Sequence, residues 1–319
     1  MATCRRTATN ENISTYGNAT RGYTSLSTWE AEKGDLDMVA ASQSEVLECY
    51  DDAASFDDYV TIFGATTNEN YFPIIRSAAG QGHDGTPNNG FNIHNTSVVD
   101  VFRAEVEHLQ IQDIVVKSVI PDTDTTGRTC IYSKSVGTTI IGCIVYDSYH
   151  AGAGANMTGI LTRADHIKVI DCIVINTRAA SGVGRGFRTI GVYDITYCNC
   201  TSVNNDDGFY SVSSALTAKN CAASGNVIAD WDGTVTKTTC TTEGATPVYK
   251  NAANNDFHLA SSDTVCRDNG TDLSGDATFA FDDDIDGELW GPAWSIGFDQ
   301  FSADDGIWTA NPWADNPWE

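Results

Sequence analysis

The sequence predicts an all-β protein whose short strands coil into a parallel β-helix, a solenoid in which each turn of the chain lies on the previous one. One observation is a repeated phrase: "HLQIQDIVV" from His108 to Val116 returns as "HIKVIDCIV" from His166 to Val174, 58 residues later. Another is the absence of long helical patterns from about residue 56 to residue 260. Strands that recur without crossover helices are typical of chains in which each strand pairs with its equivalent one turn later.

Further copies of the phrase indicate the length of one turn. Six positions are equivalent, at intervals of 29, 29, 28, 21 and 19 residues: Ile114, Cys143, Cys172, Cys200, Cys221 and Cys240. A second series runs 13 residues ahead of four of them: Cys130, Gly159, Phe187 and Gly208. Each turn is therefore expected to contain two short strands of alternating apolar residues, separated by turns of Gly, Asn, Asp and Ser.

The cysteines are predicted to be packing residues. Five of the ten belong to the first series, and stacking at about 4.8 Å per turn makes that series a column of side chains inside the coil. Free cysteine is among the most buried residue types and behaves as a small hydrophobe. Zinc would require paired Cys-x-x-Cys or His motifs, and the only close pair is Cys198-x-Cys200. Disulfides between adjacent turns remain an alternative.

The two ends of the chain differ from the middle, so we divide a single domain into three segments. Residues 1–55 form an N-terminal segment, in which "TSLSTWEAEKG" from Thr24 to Gly34 predicts a short capping helix with Ser or Thr at its start and Gly at its end. Residues 56–260 form the β-helix. Residues 261–319 lose the period and contain five of the seven tryptophans, which predicts a divergent, acidic C-terminal cap and tail.

The charge balance narrows the classes of partner. Acidic residues outnumber basic ones 43 to 18, for a formal net charge of −25, and no block of Lys and Arg interrupts this balance. Nucleic-acid binding is not expected, because attraction to phosphates needs clustered positive charge. No apolar stretch approaches the roughly 18 residues of a membrane helix, and the N-terminal residues do not resemble a secretory signal peptide.

Two acidic motifs are candidate sites. In "FDDDIDGELW", Asp282, Asp284 and Asp286 alternate before Gly287, as in a calcium-binding loop, but the distal position 293 is Ala. Calcium binding and a plain acidic turn both remain open, and no other cofactor is indicated. In "VNNDDGFYS", the adjacent Asp206 and Asp207 provide two carboxylates of the kind that glycoside hydrolysis uses, although Asn-Asn-Asp-Asp-Gly is also favourable turn chemistry.

The last residues, "NPWADNPWE", repeat Asn-Pro-Trp. Trp is enriched at the energetic centres of interfaces. We therefore interpret Trp308, Trp313 and Trp318 as candidate docking residues for a partner or for sibling subunits. The alternative is a tail that folds back over the last turn of the coil.

The motifs together resemble a known family. The phrases "IIGCIV", "VIDCIV" and "ITYCNC", with the late "NNDFHLASSDTVCRDNGTDLSGD" and "DIDGELWGPAWSIGFDQF", resemble right-handed parallel β-helix repeat proteins over about residues 20 to 301. "YTSLSTWEA", "ECYDD" and "YFPIIRSAAGQGHDG" are similar to opening segments of β-helix proteins encoded by tailed phages and environmental viruses. Of the motifs of the polygalacturonase relatives, only the pair Asp206 and Asp207 occurs here, without Gly-His-Gly or Arg-Ile-Lys.

This resemblance implies a structural protein on the surface of a phage particle: a decoration protein, fibre or tailspike-like rod anchored by one end. Its partners would be other virion proteins or sibling subunits, with a homotrimer as one arrangement, and it would reach the extracellular space by lysis. The alternative function is a glycan-binding or polysaccharide-degrading β-helix protein, a hydrolase or lyase that uses Asp206 and Asp207.

Overall fold

The structure is a computed structural model that describes residues 8, 10–191, 194–276, 281 and 283–301. Within these residues the chain is built mostly of parallel β-sheets, with two short α-helices, α1 (Leu26–Lys33) and α2 (Met38–Ala41). Neither helix has the length or the apolar composition needed to cross a membrane. The predicted all-β class and the parallel pairing are therefore confirmed.

The strands are short and numerous. In chain order they are β1 (Glu11–Tyr16), β2 (Ser44–Cys49), β3 (Val60–Ile62), β4 (Ile74–Ser77), β5 (Asn92–Asn95), β6 (Phe102–Ala104), β7 (Gln110–Gln112), β8 (Val115–Ile120), β9 (Arg128–Ser133), β10 (Thr139–Ile141), β11 (Ile144–Tyr146), β12 (Tyr149–His150), β13 (Met157–Thr162), β14 (Ile167–Ile170), β15 (Ile173–Ile175), β16 (Arg178–Ala179), β17 (Gly184–Ile190), β18 (Ile195–Cys198), β19 (Thr201–Val203), β20 (Asp207–Lys219), β21 (Ala222–Ser224), β22 (Ala229–Thr238), β23 (Tyr249–Asn251) and β24 (Asp256–Leu259).

Parallel pairing follows the repeat seen in the sequence. One row runs β1-β2-β4-β7-β10-β14-β18, a second runs β3-β6-β9-β13-β17, and the long strand β20 pairs with the last strand of both. The third row includes β8-β11-β15-β19-β21. Along the first row Ile111 pairs with Ile140, and Ile140 with Val169, which are steps of 29 residues. Equivalent strands thus lie side by side, an arrangement compatible with a parallel β-helix.

The predicted column of cysteines lies in the interior. Ile114, Cys143, Cys172, Cys200 and Cys221 are all fully buried, and Cys240 at the end of the column is half-buried. All nine cysteines of the described residues are free thiols, so no disulfide joins adjacent turns there. Burial disfavours the thiolate, as at Cys130, where it raises the pKa to about 12.

A left-handed residue precedes each member of this column. The φ angles of Asp113, Gly142, Asp171, Asn199 and Asn220 lie between 48° and 57°. Gly adopts this region without a Cβ clash, and Asn and Asp enter it more readily than other residues. This left-handed backbone position therefore accounts for the Asp, Gly and Asn that precede the apolar column in the sequence.

The N-terminal helix is present, but its start is stabilised differently from the prediction. Ser25 lies at the N-cap and makes no capping hydrogen bond through its side chain. Instead, the Leu26 amide donates to Asp58 Oδ2 at 2.7 Å, so a residue from a distant loop satisfies the helix end. Leu26 and Trp29 are fully buried in the main core.

The C-terminal segment packs along the outward sides of the sheets. One apolar cluster joins it to the first row through Ile141, Ile170, Cys198, Leu273, Phe281, Trp290 and Trp294. Another joins it to the third row through Val115, Ile144, Ile173, Ile175, Val203, Phe257, Ile285 and Phe298. These strands are therefore covered on both faces. This explains why their sequences are nearly continuous runs of apolar residues.

Candidate functional site

The second row of strands displays a line of large polar and aromatic side chains. Arg103 on β6 pairs in register with Tyr132 on β9, and Tyr132 pairs with Leu161 on β13. Leu161 pairs with Arg188 on β17, and Arg188 with Tyr210 on β20. Adjacent residues on a strand point to opposite faces, and the neighbouring positions of this row supply the core. We call Arg103, Tyr132, Leu161, Arg188 and Tyr210 the outer ladder.

A pocket of about 260 Å³ opens at the outer ladder. Its lining includes four of the chain's eleven arginines: Arg103, Arg128, Arg163 and Arg188. Asp100 is the one acidic residue that the structure describes in this lining, beside Thr, Asn, Tyr and apolar side chains. Such a concentration of guanidinium groups is unusual on a chain with a net charge of −25.

Two of the arginines are held by carboxylates at the rim. Arg103 Nε donates to Glu105 Oε1 at 2.7 Å, and Arg128 Nε donates to Asp124 Oδ2 at 2.7 Å. The Arg103 guanidinium also lies 5.4 Å from the centre of the Tyr132 ring, within cation–π range. These contacts fix the guanidinium groups in the pocket wall before any ligand arrives.

Arg188 differs from its neighbours. Among the described residues no carboxylate forms an ion pair with it, and its buried Nε has no hydrogen-bond partner. Burial lowers the pKa of Arg188, and repulsion from Arg185 and Arg163 lowers it further. A partly buried cation without a counter-ion is unfavourable, so this position is suited to an anionic group of a ligand.

Asp207 lies close to the outer ladder, and Asp206 is held elsewhere. Asp207 is buried, and one of its oxygens lies 3.3 Å from Arg185 Nε. Burial raises the pKa of Asp207, while Arg185 opposes the rise. Asp206 accepts hydrogen bonds from Arg178 Nη1 at 2.9 Å and from the Gly184 amide at 2.6 Å. The two neighbours thus have separate partners, and their joint catalytic role stays a prediction.

The acidic C-terminal motif contributes to a second cluster. Asp284 is fully buried and accepts from the amides of Glu288 at 2.9 Å and Gln300 at 3.0 Å. Asp286 lies beside His258 and Asp299. Asp282 falls outside the described residues, as do Trp308, Trp313 and Trp318, so the calcium and docking hypotheses for them stay predictions.

Sequence reasoning missed the arginines of the pocket and the residues that join Asp286. The arginines occur about once per turn, separated by 25 to 35 residues, and no local motif connects them. Aligning the turns in register would bring Arg103, Tyr132, Leu161 and Arg188 into one line. His258 and Asp299 belong to the phrases "DFHL" and "IGFDQF", which signalled family resemblance and not chemistry.

Comparison of the chain with protein-family models, with curated proteins and with solved structures found no match.

Proposed function

We propose that this chain is a right-handed parallel β-helix that binds an acidic polysaccharide along the outer ladder. The observation that supports this most directly is Arg188, a partly buried guanidinium beside three other pocket arginines and with no carboxylate partner among the described residues. Carboxylate and sulfate groups match the fork of N–H donors that an arginine presents.

The shape of the outer ladder favours an extended ligand. Successive strands are about 4.8 Å apart, so the four steps from Arg103 to Tyr210 span roughly 19 Å. A pocket of about 260 Å³ is slightly smaller than a typical site that encloses a drug-sized molecule, and suits one unit of a longer chain. Tyr132 and Tyr210 add flat amphipathic rings, which can pack on sugar faces and still hydrogen-bond.

The acidic remainder of the surface would restrict binding to this row of strands. Outside the outer ladder, an anionic polymer would be repelled by the net negative charge of the chain. The arginine pocket would therefore determine the position and the direction of the bound polymer. The resemblance to β-helix proteins of tailed phages supports a setting on a virion surface, where a rigid rod would meet the glycans of a host. That setting stays a prediction of the sequence.

The test is a binding titration of acidic and neutral polysaccharides with the full chain and with Arg188→Gln. We expect the chain to prefer acidic polymers and Arg188→Gln to weaken that binding by about 10- to 100-fold, because a hydrogen bond to a charged group contributes about 1.5–3 kcal/mol. Arg267→Gln removes the same charge from a side chain paired with Asp268, away from the pocket, and should bind as the parent does. Equal weakening in both variants, or equal binding of neutral polymers, would contradict the proposal.

Cleavage of the bound polymer is a second candidate function. The observation that favours it is Asp207, a buried carboxyl with a raised pKa whose partner Arg185 lies 4.4 Å from the Tyr210 ring of the outer ladder. A carboxyl with a raised pKa can act as a general acid toward a glycosidic oxygen. Release of reducing ends that Asp207→Asn abolishes would support cleavage. Tight binding without release of reducing ends would identify a binding protein only.

A further inference from the structure

Three segments of the C-terminal region meet at one buried cluster. His258 lies on β24, Asp286 lies in the turn before Gly287, and Asp299 follows Phe298. A potential ligand atom from each of the three lies within 4.8 Å of the other two. These residues are 13 to 41 positions apart in the sequence, so only the fold brings them together.

The imidazole of His258 is oriented as a metal ligand. Its Nδ1 is 2.7 Å from Asp256 Oδ1, so Nδ1 carries the proton and donates it to that carboxylate. Nε2 is then the nitrogen left for a metal ion, and Asp286 Oδ2 lies 3.4 Å from it. This is the arrangement in which a second carboxylate fixes the tautomer of a metal-binding histidine.

Two buried atoms of the cluster have no hydrogen-bond partner. They are His258 Nε2 and Asp286 Oδ1, and the histidine residue as a whole is only 8% exposed. Buried polar atoms in folded proteins are nearly always satisfied, so two such atoms within one cluster indicate a missing partner. The backbone of Gly85 approaches the same nitrogen, where a Cβ atom would lie 2.3 Å from Nε2, so glycine keeps that space open.

The charge of the cluster also indicates a missing cation. Asp256, Asp286 and Asp299 surround one imidazole, and Asp299 is almost completely buried. Asp299 Oδ2 accepts the Leu259 amide at 2.6 Å, and this contact holds the carboxylate beside β24. Buried carboxylates in excess of buried cations are unfavourable without a counter-ion.

We propose that His258 Nε2, Asp286 and Asp299 bind one divalent transition-metal ion, with zinc as the preferred ion. An imidazole nitrogen with two carboxylates suits zinc, whereas calcium takes oxygen ligands only. A tetrahedral zinc ion with bonds of about 2.0–2.2 Å holds its ligand atoms roughly 3.3–3.6 Å apart. His258 and Asp286 already have that separation, and an atom of Asp299 lies within 4.8 Å of both. Bound metal would fasten the C-terminal segment to β24.

The experiment is a zinc titration of the chelator-treated full chain, followed by calorimetry and by thermal unfolding. We expect one ion per chain and a higher melting temperature with zinc. His258→Gln and Asp286→Asn should each weaken binding by more than about 100-fold, and Asp256→Asn by about 10- to 100-fold through the orientation of the ring. His166→Gln, which alters an exposed histidine, should bind as the parent does.

Three outcomes would overturn the proposal: no saturable zinc binding, binding that survives in both ligand variants, or calcium binding that Asp286→Asn abolishes and His258→Gln leaves intact. The last would favour the acidic loop predicted from the sequence. Cobalt supplies an independent readout, because a spectrum without thiolate charge-transfer bands shows that the cysteines are not the ligands. Asp286→Asn nearly preserves side-chain volume, so it keeps the test valid if His258→Gln does not fold.

Discussion

At the scale of single residues, the repeated histidines are explained by backbone conformation. His108 and His166 have φ angles of 61° and 56°, and Gly137, midway between them, has 72°. A Cβ atom on Gly137 would lie 2.5 Å from His108 Nδ1, so the middle turn needs glycine where the flanking turns have histidine. The phrase that first revealed the repeat therefore marks a left-handed backbone position in each turn.

Glu30 is a buried acidic side chain of α1, and its surroundings shift its pKa. It is 7% exposed, its Oε1 accepts the Phe63 amide at 2.9 Å, and its Oε2 is buried without a hydrogen-bond partner. Burial raises the pKa of Glu30 from 4.5 to about 7, and nearby Asp35 adds to the rise. The folded state therefore holds a proton that the unfolded state loses between these two values.

We predict that Glu30→Gln stabilises the protein in a pH-dependent way. A raised carboxyl pKa means that this group's contribution to stability is complete below about pH 4.5 and is lost as the pH rises through about 7. Gln keeps an oxygen for the Phe63 amide and cannot ionise, so the advantage of the variant should grow over this interval. Urea unfolding of both proteins at about pH 4 and about pH 8 measures the difference.

Glu32→Gln is the matched control for this prediction. It removes the same charge from an exposed side chain of the same helix. An advantage of equal size in the two variants at about pH 8 would assign the effect to net charge and not to the burial of Glu30.

At the scale of strands, alternation separates the core from the outer ladder. On β17 and β20 the fully buried Phe187 and Phe209 precede Arg188 and Tyr210. The rings of Phe187, Phe209 and Trp231 stack on three successive strands, with centroid distances of 4.7 and 4.6 Å and interplanar angles of 5° and 9°. Parallel in-register pairing makes this stack possible, because it places equivalent side chains directly above one another.

We expect substitutions at two adjacent residues of β20 to affect different properties. One should lower the stability of the fold, and the other should mainly weaken binding. Phe209→Ala removes the middle ring of the stack and should lower the free energy of unfolding by about 3–5 kcal/mol. Tyr210→Ala removes an outer-ladder ring and should cost about 1 kcal/mol or less, while it weakens polysaccharide binding. Chemical denaturation and the binding titration measure the two effects. Equal losses of stability would mean that the two faces of this strand are not distinct.

At the scale of the whole molecule, the C-terminal segment holds neighbouring rows of strands from the outside. Trp290 and Trp294 stack with ring centroids 4.7 Å apart and pack on the first row, while Phe298 packs on the third. The proposed metal cluster lies in the same segment. Two of the tryptophans that mark this region in the sequence are therefore core residues.

Residues 302–319 can be tested separately for the predicted docking function. Deletion of these residues removes all three candidate docking tryptophans at once. We expect the deleted chain to lose self-association or partner binding. Light scattering coupled to size-exclusion chromatography would show a trimer at about three times the 34.2 kDa chain mass. The same oligomer with and without the tail would refute self-association through Trp308, Trp313 and Trp318.

The sequence by itself determined the strand period, the parallel pairing, the column of buried cysteines and the N-terminal helix. These features are readable because they depend on residues within one turn: alternation sets which side chain faces inward, and Gly, Asn and Asp mark the left-handed corners. The repeat is then detected by comparing the sequence of one turn with the sequence of the next.

Only the tertiary structure decided which side chains share a site. The four arginines of the pocket come from four different strands or loops, and His258, Asp286 and Asp299 come from three segments without a common period. Their proximity depends on the register between strands of neighbouring turns and on the position of the C-terminal segment. Burial of apolar surface across all the sheets sets both. The helix start shows the same limit, since Asp58, 32 residues from Leu26, supplies the acceptor that the local pattern assigned to a Ser or Thr at the start of the helix.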